Sequence, residues 1–185
     1  MIKKLIGGRN TVKAKVKLGK RLGTGLEGTV REANLIFGKN GKTRTHQFAV
    51  KSFKWYFDSY GAWANPKKQF QIMKELSTLN RQGKLGLRII PTIRLIKTVF
   101  GKDKLLVTKL NIVKDLTPEQ HADYLRDIKR QSLIGAKNGY SILKDAFQPV
   151  LDKNGKVIAV LTDFGQVSKT KPIAINELTN RLLTK

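Results

Sequence analysis

An α+β fold with an antiparallel sheet in its N-terminal part is predicted by three features of the sequence. Strand-like runs broken by Gly- and Asn-rich turns fill the first third. Apolar residues at helical spacing follow, and a strand, turn and strand lie just ahead of Asp163. With 185 residues, 40% of them apolar, the chain can bury one sizeable core.

The alternation Lys13-Ala14-Lys15-Val16-Lys17-Leu18 predicts a first strand, and Val30 to Phe37 a second. Gly, Lys, Asn and Arg crowd Gly38 to Thr45, so Val30 to Lys51 reads as one long hairpin ending in the apolar stretch Phe48-Ala49-Val50-Lys51. Trp55, Tyr56, Phe57, Tyr60 and Trp63 read as core or interface packing in preference to a platform for stacked bases. From Pro66 through Gln82, Phe70, Met73, Leu76 and Leu79, with Ile72 beside them, recur at steps that suit a helix, and Gly83 ends it.

Two further strands are predicted at Arg88–Ile96 and Leu105–Leu110, joined by Gly101 to Lys104. Thr117-Pro118-Glu119-Gln120 has the form of a helix start, with a Thr cap, Pro at the first helical position and Gln three residues after the cap. That helix should reach about Lys137, where Asn138-Gly139 breaks it. Pro149 to Asp152, the turn Lys153-Asn154-Gly155, and Lys156 to Thr162 then make a hairpin leading into Asp163.

Composition excludes several classes. Without cysteine there is no disulfide and no Cys-based zinc or redox site. His46 and His121, the two histidines, are far apart in sequence and read as surface residues, which argues against a His-rich metal site or a Ser-His-Asp triad. No apolar run of the roughly eighteen residues needed to span a membrane occurs, and the start Met1 to Gly7 lacks a signal-peptide core, so a soluble protein is expected. The 37 Lys and Arg against 13 Asp and Glu give a net charge of +24, a surface that attracts nucleic acid, anionic lipid or acidic protein. These cations run from Lys3 to Lys185, so a generally basic solvated surface is the competing reading.

Three motifs in order carry the chemistry. Gly23-Thr24-Gly25-Leu26-Glu27-Gly28-Thr29-Val30 is a GxGxxGxV run between two strands, Phe48-Ala49-Val50-Lys51 ends a strand on one ammonium, and Asp163-Phe164-Gly165 follows a hairpin. In this set and order the chain resembles the protein kinases, over roughly Leu18 to Gly165. The resemblance implies one kinase-like domain over 1–185, of minimal bilobal form. Its N-lobe, 1–110, would hold the antiparallel sheet plus helix C, and 111–185 would form a reduced C-lobe.

It also implies the roles. ATP would lie under the Gly23–Val30 loop, contacted by Gly23, Thr24, Gly25, Gly28, Val30, Ala49 and Lys51, with Lys109 in the hinge segment around Val107 to Ile112. Glu75, on the predicted first helix, would hold Lys51 in register with the phosphates, the other reading being a surface ion pair with a neighbouring lysine. Asp163 would bind Mg2+. Asp145, in Leu143-Lys144-Asp145, stands eighteen residues before Asp163 and would orient the acceptor hydroxyl as catalytic base.

The catalytic loop departs from the family. Five residues after Asp145 stands Val150 where an Asn metal ligand belongs, while counting back from the hairpin puts Gln148 nearest that position. Gln148 is therefore the candidate second metal ligand, since magnesium accepts neutral oxygen. Only Gln166 to Lys185 follow Gly165, without an Ala-Pro-Glu element. In this the chain looks like the short kinases that bacterial pathogens deliver into host cells. The resemblance then implies a virulence effector in the host cytosol that transfers the γ-phosphoryl group to a Ser, Thr or Tyr of a host protein, such as a chaperone or ubiquitin-pathway protein. The alternatives are a nucleotide-binding pseudokinase, or a basic module that grips nucleic acid or an acidic partner.

Overall fold

The computed structural model describes residues 2–5, 12–25, 28–39, 42–54, 65–97 and 103–171. It is a mixed α and β chain whose described residues form two compact units, 1–66 with 91–109 and 67–90 with 110–185. The aromatic cluster Trp55 to Trp63, the loop tip Leu26-Glu27 and the Gly101-Lys102 connection lie outside the described residues.

The first unit is a six-stranded antiparallel sheet. Its strands are β1 (Ile2–Leu5), β2 (Val12–Thr24), β3 (Gly28–Lys39), β4 (Lys42–Phe53), β5 (Thr92–Ile96) and β6 (Lys104–Thr108), in the spatial order β1-β2-β3-β4-β6-β5. The two long hairpins come from the turn-rich breaks around Gly25 and Gly38–Thr45. β3 and β4 pair in unbroken register from Gly28–Phe53 to Lys39–Lys42. Directly opposed residues share a face of the sheet. One face therefore holds Ala33, Val50 and Leu106, against which Val16, Phe48 and Ile96 pack as a core. The other carries Val30, Glu32, Ala49, Lys51, Leu105 and Val107.

The second unit holds both helices, α1 (Pro66–Arg81) and α2 (Pro118–Lys137), and four short strands. In α1 the buried residues include Gln69, Met73 and Leu76, one stripe at helical spacing. Its end is a Schellman-type cap: Gly83 takes φ +71° and Lys84 N–H donates to Leu79 C=O at 3.0 Å. At the start of α2, Thr117 and Gln120 make the reciprocal capping box, Oγ1 accepting from Gln120 N–H and Gln120 Oε1 accepting from Thr117 N–H. β7 (Tyr140–Ile142) pairs with β10 (Val167–Lys169), and β8 (Phe147–Leu151) with β9 (Val157–Leu161), all antiparallel. The β8–β9 turn is closed by Asp152 Oδ1, which accepts from Asn154 N–H and Lys156 N–H, with Gly155 at φ +76°.

The structure corrects the strand predicted over Arg88–Ile96. Arg88-Ile89-Ile90 does not extend β5. It runs beside the end of β9, with Ile90 N–H donating to Leu161 C=O at 2.9 Å and Leu161 N–H to Arg88 C=O at 2.8 Å. Pro91 has no N–H to give a ladder and so separates the two pairings. The buried Gln131 side chain of α2 holds Arg88, accepting from its N–H at 2.7 Å. β1 had no counterpart in the sequence reading, and β8 begins at Phe147, two residues earlier than expected. Both histidines are exposed, as expected. Among the described residues no helix is long and apolar enough to cross a membrane.

Candidate functional site

The predicted nucleotide contacts all fall in the first unit. Gly23 opposes Val30 and Thr24 opposes Thr29 where β2 meets β3, and Gly25 N–H donates to Gly28 C=O at 2.9 Å across the turn. Val30 opposes Lys51, so Gly23, Gly28, Val30, Ala49 and Lys51 belong to one face of the sheet, and Thr24, opposite Thr29, to the other. The three glycines are there for different reasons. A Cβ on Gly28 would lie 2.0 Å from the Ser52 carbonyl oxygen, so close approach of β4 demands glycine. A Cβ on Gly23 or Gly25 would meet nothing within 4 Å, and neither residue has a left-handed φ. Nothing in the described fold requires glycine at these two positions.

Lys51 is half-buried, with Nζ 5.2 Å from the centroid of the Phe53 ring. Lys109, just past β6, is ion-paired at 2.9 Å with Glu32, which lies opposite Ala49. Hydrogen bonding from Lys109 holds the Glu32 carboxyl below its ordinary value, outweighing partial burial. A bulge in β2 opposite Glu32 makes room for this pair, and Gly19 there faces the Glu32 side chain, which would stand 3.1 Å from a Cβ. Sequence reading placed Lys109 near the nucleotide but missed Glu32, because the contact depends on sheet register.

The predicted catalytic and metal residues fall in the second unit. Asp145 occupies a 3-10 turn, Lys144–Ala146, immediately before β8, and Asp163 stands just beyond β9. The β8–β9 register, with Phe147 opposite Leu161, would set Asp145 opposite Asp163 if it continued. The Ala146 carbonyl draws the two segments together, accepting from Thr162 N–H at 2.9 Å, Asp163 N–H at 3.0 Å and Thr162 Oγ1 at 3.3 Å. Asp163 Oδ1 accepts from Gly165 N–H at 3.0 Å, which fixes the Asp-Phe-Gly turn, and Phe164 is buried. Asp145 is exposed. Its charge is felt at Tyr124, whose hydroxyl donates to Phe147 C=O at 2.9 Å and is pushed up to about 12 by burial first and by Asp145 second. Gln148 is half-buried and opposes Val160.

Glu75 lies in α1 and has two partners that the sequence did not announce. Its Oε1 accepts from the Tyr140 hydroxyl at 2.7 Å and lies 2.8 Å from Lys169 Nζ. Lys169 first and Tyr140 second hold the Glu75 carboxyl below its ordinary value against partial burial. Burial, and then the hydrogen bond to Glu75, push Tyr140 up to about 12. Tyr140 and Lys169 face each other across β7 and β10, so the strand that follows Asp-Phe-Gly delivers a cation to α1.

Among the described residues no group of three or more His, Asp or Glu could hold a metal by itself. Asp163 and Gln148 would bring one carboxylate and one amide oxygen, a donor set that suits magnesium arriving with phosphate oxygens. No protein-family description fits the chain, and no curated protein matches it.

Proposed function

We propose that this chain is a protein kinase of minimal size, transferring the γ-phosphoryl group of ATP to a Ser, Thr or Tyr hydroxyl of a protein. The supporting observation is the pair Asp145 and Asp163, drawn together through the Ala146 carbonyl at the mouth of the β8–β9 hairpin. One is exposed beside the strand, as a group that meets an acceptor hydroxyl must be; the other is fixed by the Gly165 N–H. Gly23 and Gly25 support the same reading. No internal packing calls for them, whereas the backbone of a phosphate-covering loop does.

The residues divide the work. Lys51 carries an ammonium to the phosphates and Lys109 borders the base. Asp163 and Gln148 would hold Mg2+, which would supply positive charge next to the phosphates. Asp145 accepts the hydroxyl proton as the acceptor oxygen bonds to the γ-phosphorus and the bond to the bridging oxygen of the departing ADP breaks. The reaction needs little covalent help from the protein, so positioning and charge neutralisation by this small set suffice. Within the second unit, Tyr140 and Lys169 set the orientation of the Glu75 carboxylate. The target is a host protein in the effector reading.

A nucleotide-binding pseudokinase is the second reading, favoured by Val150 and Gln148 standing where the family has its Asn. One experiment separates them: γ-labelled ATP and Mg2+ with the protein alone and with a eukaryotic lysate, alongside Lys51→Ala and Asp163→Ala. Transfer by the native chain and none by either variant supports the kinase. Saturable ATP binding without transfer supports the pseudokinase, and no ATP binding overturns both.

A further inference from the structure

In the second unit a cleft of about 340 Å3 opens between α2 and the β8–β9 hairpin. Four cations line it: Arg88, Arg126, Arg130 and Lys156. The carboxylates among them are already committed. Asp127, only 13% exposed, accepts from Ala159 N–H at 2.9 Å and pairs through Oδ2 with Arg88 and through Oδ1 with Arg130. Burial pushes its carboxyl up, but the bonds from Ala159, Arg130 and Arg88 outweigh this and hold it below the ordinary value. Asp152 closes the β8–β9 turn with two backbone N–H groups, and Asp123 pairs with Arg126.

The guanidiniums keep donors to spare. Each has five N–H donors, and the Arg88, Arg130 and Arg126 side chains remain 42%, 50% and 77% exposed. Asp127 acts as a half-buried template that holds two of them, so less side-chain entropy is lost when a ligand binds.

We propose that this cleft docks an acidic segment, rich in Asp and Glu, of the protein substrate. The role as substrate rests on the kinase reading; the docking itself does not. Charge pattern favours a peptide over nucleic acid. The lining sets four cations against three carboxylates, a net charge too small to grip a phosphate backbone through counterion release, whereas separate carboxylate side chains can each take a guanidinium fork.

The test is fluorescence anisotropy of a short fluorescein-labelled peptide rich in Asp and Glu, measured on the full chain without ATP. Saturable binding is expected, roughly tenfold weaker in Arg126→Gln with Lys156→Gln and unchanged in Lys84→Gln and Lys137→Gln, two exposed cations outside the cleft. The Asn/Gln version of the peptide should not bind. If the double variant loses its helical circular dichroism, Arg126→Gln alone carries the comparison, since that side chain lies on the surface. Absence of binding, equal weakening by the Lys84 and Lys137 variants, or tighter binding of a single-stranded oligonucleotide through the same residues would each overturn the proposal. Transfer without peptide binding sinks the docking site alone. Peptide binding that survives while no variant or native chain transfers phosphate sinks the kinase reading alone.

Discussion

Replacing the three loop glycines one at a time by alanine separates what the fold needs from what a ligand needs. In Gly28→Ala the new methyl would stand 2.0 Å from the Ser52 oxygen, 3.0 Å from its carbon and 3.2 Å from Phe53 Cα, all backbone atoms of β4. No side chain can swing aside, so the strands must part at this end. Overpacking costs about 1–3 kcal/mol, and each of the one or two ladder bonds lost adds about 1 kcal/mol. A total near 2–5 kcal/mol lowers the melting temperature by roughly 4–20 °C for a chain of this size. Gly23→Ala and Gly25→Ala add a methyl in open space, so stability should stay within about 0.5 kcal/mol of native. The assay is thermal unfolding followed by circular dichroism, with and without ATP and Mg2+. Native protein should gain about 2.7 kcal/mol at a hundredfold excess of ligand over Kd. Gly23→Ala and Gly25→Ala should melt normally without ligand and lose most of that gain. A normal melting temperature for Gly28→Ala would refute the packing reasoning, and a full ATP gain in both other variants would refute their assignment to the nucleotide.

Asp145→Asn should cut turnover strongly with ATP affinity nearly unchanged, whereas Gln148→Ala should raise the magnesium requirement; initial rates across ATP and Mg2+ concentrations distinguish the two, and normal kinetics in either variant removes that residue's role. Asp127→Ala strands the Ala159 N–H, at about 1–3 kcal/mol, and deletes two half-exposed ion pairs worth under about 1 kcal/mol each, so urea unfolding should show a loss of about 1–5 kcal/mol. Glu75 has a folded pKa below its ordinary 4.5, so its stabilising contribution is present above pH 4.5 and is lost as pH falls through the lower folded value. Lys169→Met should move the Glu75 titration, followed by carboxyl NMR, up towards 4.5 and flatten the acid end of the stability profile; an unmoved titration would mean that Lys169 does not set it.

Local structure was legible wherever neighbouring residues decide it. Turn chemistry at Lys153-Asn154-Gly155, the capping box at Thr117 and Gln120 and the helix stop at Gly83 depend on hydrogen bonds spanning a few residues, and each formed as its sequence requires. The turn residues crowded into Gly38 to Thr45 announced the β3–β4 hairpin, because Gly and Asn reverse the chain locally. Tertiary structure alone decided the long-range pairings: Arg88 to Ile90 left β5 for β9, and Glu32, Tyr140 and Lys169 became partners of Lys109 and Glu75. The same holds for Asp127, whose carboxylate serves two arginines and the Ala159 amide at once, and for Gly28, distinguished from Gly23 and Gly25 only by the nearness of Ser52. Such contacts are chosen by which surfaces meet once the sheet twists and the helices pack. Spacing along the chain carries no record of that meeting, because residues far apart in sequence become neighbours only through register and packing.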